Sequence, residues 1–189
     1  CGKSTLLHLL GGLDRPTDGN ASIEDQPLAK MTDDALTKVR RRKIGFVFQF
    51  FNLIPILSSL ENVALPLLLD DVSLSNAKQK ATEWLIKVGL GARLGSRPDE
   101  LSAGQQQRVA IARALITDPI LILADEPTGN LDTKSSDEIV SLLKQVSQQW
   151  GRAVLMVTHD PRIAAHAERI VSMRDGKIVE DRHNAKSEG

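Results

Sequence analysis

The run Leu121-Ile122-Leu123-Ala124 passes directly into Asp125-Glu126. A short, fully apolar run of this length reads as a buried strand. Two adjacent carboxylates at its end place a metal-associated Asp beside a candidate base at the strand's C-terminal edge, where open parallel sheets bind their ligands. This confines the chain to an α/β layered arrangement with a phosphate-type site at one sheet edge. Shortly upstream, Leu101-Ser102-Ala103-Gly104-Gln105-Gln106-Gln107-Arg108 leads into Val109-Ala110-Ile111-Ala112-Arg113-Ala114-Leu115. That is a small-residue turn opening a helix, so free N–H groups and the positive helix end face whatever lies before it.

The chain begins with Cys1-Gly2-Lys3-Ser4-Thr5, followed by Leu6-Leu7-His8-Leu9-Leu10. This matches the end of a phosphate-binding loop, G-x-x-x-x-G-K-[ST], entering its helix. Glycine lets the backbone approach phosphates, lysine reaches the outer phosphates, and the hydroxyl coordinates Mg²⁺. The first glycine of the motif, the strand that feeds it and an initiator Met are not in the sequence. The expectation is therefore a sequence that starts inside this motif, with N-terminal strands missing, and that hydrolyses nothing on its own.

Taken together, the three stretches resemble the Walker A, signature and Walker B motifs of ABC-type ATPases. The pairing of signature and Walker B separates these from other P-loop enzymes. The resemblance implies ATP and Mg²⁺ as ligands. Gly2, Lys3, Ser4 and Thr5 would bind phosphates, with Ser4 and Asp125 on the metal. Gln49, after the apolar run Ile44 to Phe48, matches the Q-loop glutamine that bridges metal or attacking water. Glu126 would orient or deprotonate that water, and His159 matches the H-loop residue contacting the γ-phosphate. Ser102, Gly104 and Gln105 would meet nucleotide held by another protomer. Asp132 matches the D-loop aspartate, and read locally it is also an N-cap for a helix starting at Thr133. Ala103 departs from the commonest signature, which has a second glycine there. With one signature and one P-loop remnant, a working unit needs two such domains, as a homodimer or heterodimer.

The 189 residues suit a single domain, spanning 1–189. A formal net charge of zero argues against a protein that coats nucleic acid or anionic membrane, and no direct nucleic-acid contact is expected. The basic cluster Arg40-Arg41-Arg42-Lys43 reads as a solvated helix C-terminus. One cysteine excludes an internal disulfide. Apolar runs fall short of the roughly 20 residues a membrane span needs; the most apolar region, Leu53 to Leu69, is broken by Pro55, Glu61, Asn62 and Pro66. No guanine-type Asn-Lys-x-Asp motif occurs.

Along the chain, helices are predicted over 4–11, from Thr32-Asp33-Asp34 to about 43, over 59–69, 75–88 and 133–150, with a turn or two at 162–167. Buried strands are predicted at 44–49, 120–124 and 153–158, a short strand near 21–24, and a hairpin around Arg174-Asp175-Gly176. The alternation indicates an α/β fold with a parallel core. The strand-free stretch of about 59–112 resembles the helical subdomain that ABC ATPases insert into their P-loop NTPase core. Residues of about 182–189 are expected to form a flexible tail. Trp84 and Trp150 read as packing residues.

Four further stretches narrow the resemblance: Gly11-Gly12-Leu13-Asp14-Arg15-Pro16-Thr17, Phe48 to Pro55, Glu61-Asn62-Val63-Ala64-Leu65-Pro66-Leu67, and Thr128-Gly129-Asn130-Leu131-Asp132. They are similar to ATPase subunits of lipoprotein-releasing and macrolide-exporting transporters. Such subunits lie at the cytoplasmic face of the inner or plasma membrane, peripheral through a permease. The apolar loop residues Phe50, Phe51, Leu53, Ile54 and Leu57 are the expected docking groove for a permease helix; alternatively they pack the helical subdomain. Two other readings stand beside this one: a cell-division ATPase transmitting force to cell-wall hydrolases, and a soluble ATPase acting on nucleic acid.

Overall fold

The computed structural model describes residues 2–184. Gly2, in a left-handed conformation at φ 86°, turns the chain into helix α1 (Lys3–Leu10). A two-residue hairpin, β1 (Ser22–Ile23) and β2 (Gln26–Pro27), precedes α2 (Asp33–Lys43). The Thr32 hydroxyl caps α2 by accepting the Ala35 N–H at 3.3 Å. Strand β3 (Ile44–Phe48) follows, then a loop and helices α3 (Ser59–Leu68), α4 (Leu74–Lys87) and α5 (Ala103–Leu115). Next come β4 (Leu121–Asp125), α6 (Thr133–Gln148), β5 (Ala153–Val157) and the short α7 (Pro161–Ala164). A hairpin of β6 (Arg169–Arg174) and β7 (Lys177–His183) closes the described chain. Asp175 and Gly176, at φ 49° and 75°, supply its turn.

Strands β3, β4 and β5 form a parallel sheet in that order. The register aligns Phe48 with Asp125 and Asp125 with Val157, so all three strands end level. Alternation along the strands divides the core into two faces. On one, Leu7 of α1 packs with Ile44 and Leu123, flanked by Phe46 and Val157. On the other, Val47, Ile122 and Ala124 meet α5 and α6. Helix α5 comes so close to β3 that a Cβ on Gly45 would strike the Ala114 carbonyl, which explains a glycine inside that strand. Helices α3, α4 and α5 pack on one another, and α5 continues past residue 112 onto the sheet, linking the helical region to the core.

Three sequence expectations need correction or refinement. Strand β5 is not fully buried: Leu155 is 39% exposed. It pairs with β4 alone, and among the described residues no strand covers its other edge. Of the tail expected at 182–189, Arg182 and His183 instead belong to the hairpin, paired with Ile170 and Arg169. Residues 185–189, like Cys1, lie outside the described residues. The basic end of α2 is solvated yet tied down: Arg40 donates to the Gly12 carbonyl at 2.6 Å, and Arg41 and Arg42 both pair with Asp70. Trp84 and Trp150 stack edge to face at 5.1 Å, pinning α4 to the end of α6. Among the described residues no helix is long and apolar enough to cross a membrane.

Candidate functional site

Because β3, β4 and β5 end level, the residues just past them emerge side by side: Gln49, Glu126, and Thr158 with His159. The N-terminus of α1 points into this edge. Among the described residues no side chain caps it, which leaves its first-turn N–H groups open to an anion. Lys3 lays its ammonium on the Thr158 carbonyl at 3.1 Å. The Ser4 hydroxyl donates to Asp125 Oδ1 at 3.0 Å across 121 residues of sequence. A hydroxyl and a carboxylate converging beneath an anion-receptive helix end are an oxygen donor set suited to a hard cation such as Mg²⁺. Thr5 is exposed on the same turn.

Glu126 takes φ 47°, a left-handed conformation uncommon for a residue with a Cβ. The turn is fixed at both ends, since its N–H donates to the Val157 carbonyl at 2.9 Å and its carbonyl accepts the Gly129 N–H at 3.0 Å. The left-handed turn takes the chain out of the sheet while leaving the carboxylate at the edge. His159 then holds the carboxylate twice: its Nδ1 lies 2.9 Å from Oε1, and its backbone N–H donates to Oε2 at 3.3 Å. The Glu126 side chain is only 18% exposed, whereas that of His159 is 74% exposed. Each carboxylate oxygen has two acceptor positions, so both retain one for a further donor such as water.

Gln49 leans on the segment after Glu126. Its amide donates to Asn130 Oδ1 at 3.2 Å, and the Asn130 amide returns a bond to the Gln49 carbonyl at 3.0 Å. Gly129 makes room, because a Cβ there would stand 2.7 Å from Gln49 Nε2. Glu126, Gly129, Thr158 and His159 border one cleft of about 170 Å³.

The signature residues sit on a second, separate cleft of about 340 Å³. Ser102 caps α5 by accepting the Gln105 N–H, and the Gln105 side chain accepts the Ser102 N–H at 3.0 Å. Gly104 faces α6 closely: a Cβ would lie 3.1 Å from Ser135 Oγ. Asp132 caps α6, accepting the Ser135 N–H at 2.9 Å and its hydroxyl at 3.0 Å. These bonds hold the Asp132 carboxyl below its ordinary value. The structure therefore groups Lys3, Ser4, Gln49, Asp125, Glu126 and His159 at the sheet edge, and places Ser102, Gly104 and Gln105 on the other cleft.

Several residues that shape the site carry no distinctive sequence spacing. Asn62 is fully buried and accepts the Ile54 N–H at 2.8 Å while donating to the carbonyls of Ile54, Leu57 and Ser58. Arg113 donates to the carbonyls of Asn52 and Phe51, at 2.5 and 2.8 Å, where both residues have positive φ. Burial lowers the Arg113 guanidinium pKa from its ordinary value. The loop after Gln49 is thus held from both sides by the helical region. It leaves Phe50 and Ile56 exposed at 73% and 76%, and Leu53 packs on the core.

The model of the family described as "ABC transporter" matches residues 1–129. An ABC transporter ATP-binding protein of Thermotoga maritima is 54% identical over 177 residues, covering 94% of this chain and 75% of its own length. YvrO, an ABC transporter ATP-binding protein of Bacillus subtilis, is 49% identical across 95% of this chain and 78% of its own. The macrolide export ATP-binding/permease protein MacB of Hyphomonas neptunium is 46% identical across 98% of this chain, which spans 29% of MacB. Among solved structures, the dimeric ATP-binding cassette MJ0796 in a post-hydrolysis state bound to ADP and Pi superposes with a TM-score of 0.86 at 46% identity, covering 96% of this chain and 80% of that one.

Proposed function

The chain belongs to the ABC transporter ATP-binding family, and on that premise we propose that it powers a membrane permease through the residues gathered at its sheet edge. It is an ABC ATPase domain of α/β parallel-sheet fold. The observation that carries the site reading is the Ser4–Asp125 bond beneath the open end of α1. Lys3 and the α1 N–H groups receive the outer phosphates of ATP. Ser4 and Asp125, with Gln49 nearby, are the residues that would hold Mg²⁺, whose charge offsets that developing on the transferred phosphoryl group. Glu126, fixed by His159, turns a free carboxylate lone pair to the attacking water and takes its proton.

His159 also bears on the γ-phosphate. While its Nδ1–H is donated to Glu126, a neutral ring has only an acceptor at Nε2. A hydrogen bond from Nε2 to phosphate therefore requires the imidazolium form, or a turn of the ring away from Glu126. Ser102, Gly104 and Gln105 complete a second protomer's nucleotide site, so two ATP-binding domains act together. The dimeric MJ0796 cassette supports this arrangement.

The exporter reading, of the lipoprotein-release and macrolide-export type, is supported by the MacB relative. In it the subunit lies at the cytoplasmic face of the membrane, docked on its permease through Phe50, Ile54 and Ile56, the exposed apolar residues of the loop after Gln49. The test is hydrolysis of Mg-ATP by the full-length protein and its Glu126→Gln variant. The variant should bind ATP and lose turnover by about 10²-fold or more, the scale for loss of a general base. Near-normal turnover would remove Glu126 from that role.

A further inference from the structure

Gln107 lies in the second turn of α5 with no solvent exposure at all. Its Nε2 donates to the Pro127 carbonyl at 2.6 Å and to the Phe48 carbonyl at 3.3 Å. Phe48 is the residue before Gln49, and Pro127 is the residue after Glu126. One amide on the signature helix therefore grips the backbone on the flanks of both site residues. Its Oε1 is buried with no hydrogen-bond partner among the described residues. An unpaired buried acceptor is destabilising, and a side chain that only filled space would be better apolar. The two donor bonds are what such a side chain supplies in return.

We propose that Gln107 is a positioning residue that couples the orientation of the signature helix to Gln49 and Glu126 of the same protomer. This rests on the functional reading above. Ser102 caps the same helix one turn earlier, so a shift of α5 on contact with a partner's nucleotide moves the Gln107 amide. That motion pulls on the Phe48 and Pro127 carbonyls together, and Glu126 sits at the left-handed turn directly before Pro127.

The experiment compares wild type, Glu126→Gln, Gln107→Met and Gln107→Glu as full-length proteins, by ATP hydrolysis, Mg-ATP affinity and thermal melting. Met fills a similar volume without donors. Gln107→Met should melt cooperatively and bind Mg-ATP like wild type, while kcat falls about 10- to 100-fold, the scale for misplacing a reacting group by about 1 Å. A protonated Glu is isosteric with Gln and can donate to Pro127, whereas an ionised one faces two carbonyl oxygens. The kcat of Gln107→Glu relative to wild type should therefore rise as pH is lowered, and this arm decides the matter if the Met variant fails to fold. Wild-type kcat in a folded Gln107→Met overturns the proposal. So does a loss of kcat that only tracks lost ATP affinity and melting temperature, or a pH-independent ratio for Gln107→Glu. If wild type hydrolyses ATP and Glu126→Gln does not, such a result rejects Gln107 alone. A Glu126→Gln as active as wild type sinks the functional reading and this proposal together.

Discussion

At the residue scale, the side chains that the fold gathers at the sheet edge were readable as candidates because their chemical type is scarce in context. Two carboxylates after a buried apolar run, a lysine and hydroxyl at a helix start, and a histidine past another apolar run have few structural uses together. Their partners were not readable. Nothing local in Asn130 says that it exchanges amide bonds with a residue 81 positions earlier. Asp132 shows how one residue carries two readings, because its capping bonds to Ser135 are present whether or not it also faces a partner. Those bonds hold its carboxyl below the ordinary value near 3.8. A carboxylate depressed in the folded state stabilises above its unfolded pKa, and that contribution disappears as pH falls through the folded one. Asp132→Ala should therefore lower the melting temperature at neutral pH, and the difference from wild type should close in acid below the ordinary carboxylate range. A gap that persists unchanged in strong acid would assign the loss to something other than the charged cap.

Among the elements, helices and strands followed from periodicity and capping signals, as at Thr32 and Asp132. Strand β5 was the exception, since its apolar run Ala153 to Val157 fits a buried strand, yet exposure depends on which strand lies beside it. The loop after Gln49 was legible as a loop, but not the reason it holds its shape. Asn62 binds it from α3 and Arg113 from α5. Asn62→Leu would orphan the Ile54 N–H, which alone costs about 1–3 kcal/mol when buried. Urea denaturation should show that loss, and a neutral result would mean the loop finds other partners. Gly45→Ala should cost a further distinct amount, about 1–3 kcal/mol for overpacking, because α5 cannot retreat from β3 without disturbing Gln107 and Arg113.

For the whole molecule, the candidate residues divide between two clefts, so under the proposed function one copy is not a complete engine. Glu126 and the uncapped end of α1 meet at the sheet edge, while Ser102, Gly104 and Gln105 line the other cleft. Joining them calls for a second ATP-binding domain, in the manner of the dimeric MJ0796 cassette. Exposed Phe50 and Ile56 add an apolar surface outside both clefts, on the loop whose base is Gln49, so under the proposed docking a permease there has a short path to the site. A Glu126→Gln protein that binds ATP without hydrolysing it should hold this dimer closed. The most direct measurement is its mass by light scattering with Mg-ATP, alone and with Ser102→Arg added. Glu126→Gln should weigh as a dimer and the double variant as a monomer; a dimer that persists in the double variant would overturn the shared nucleotide site.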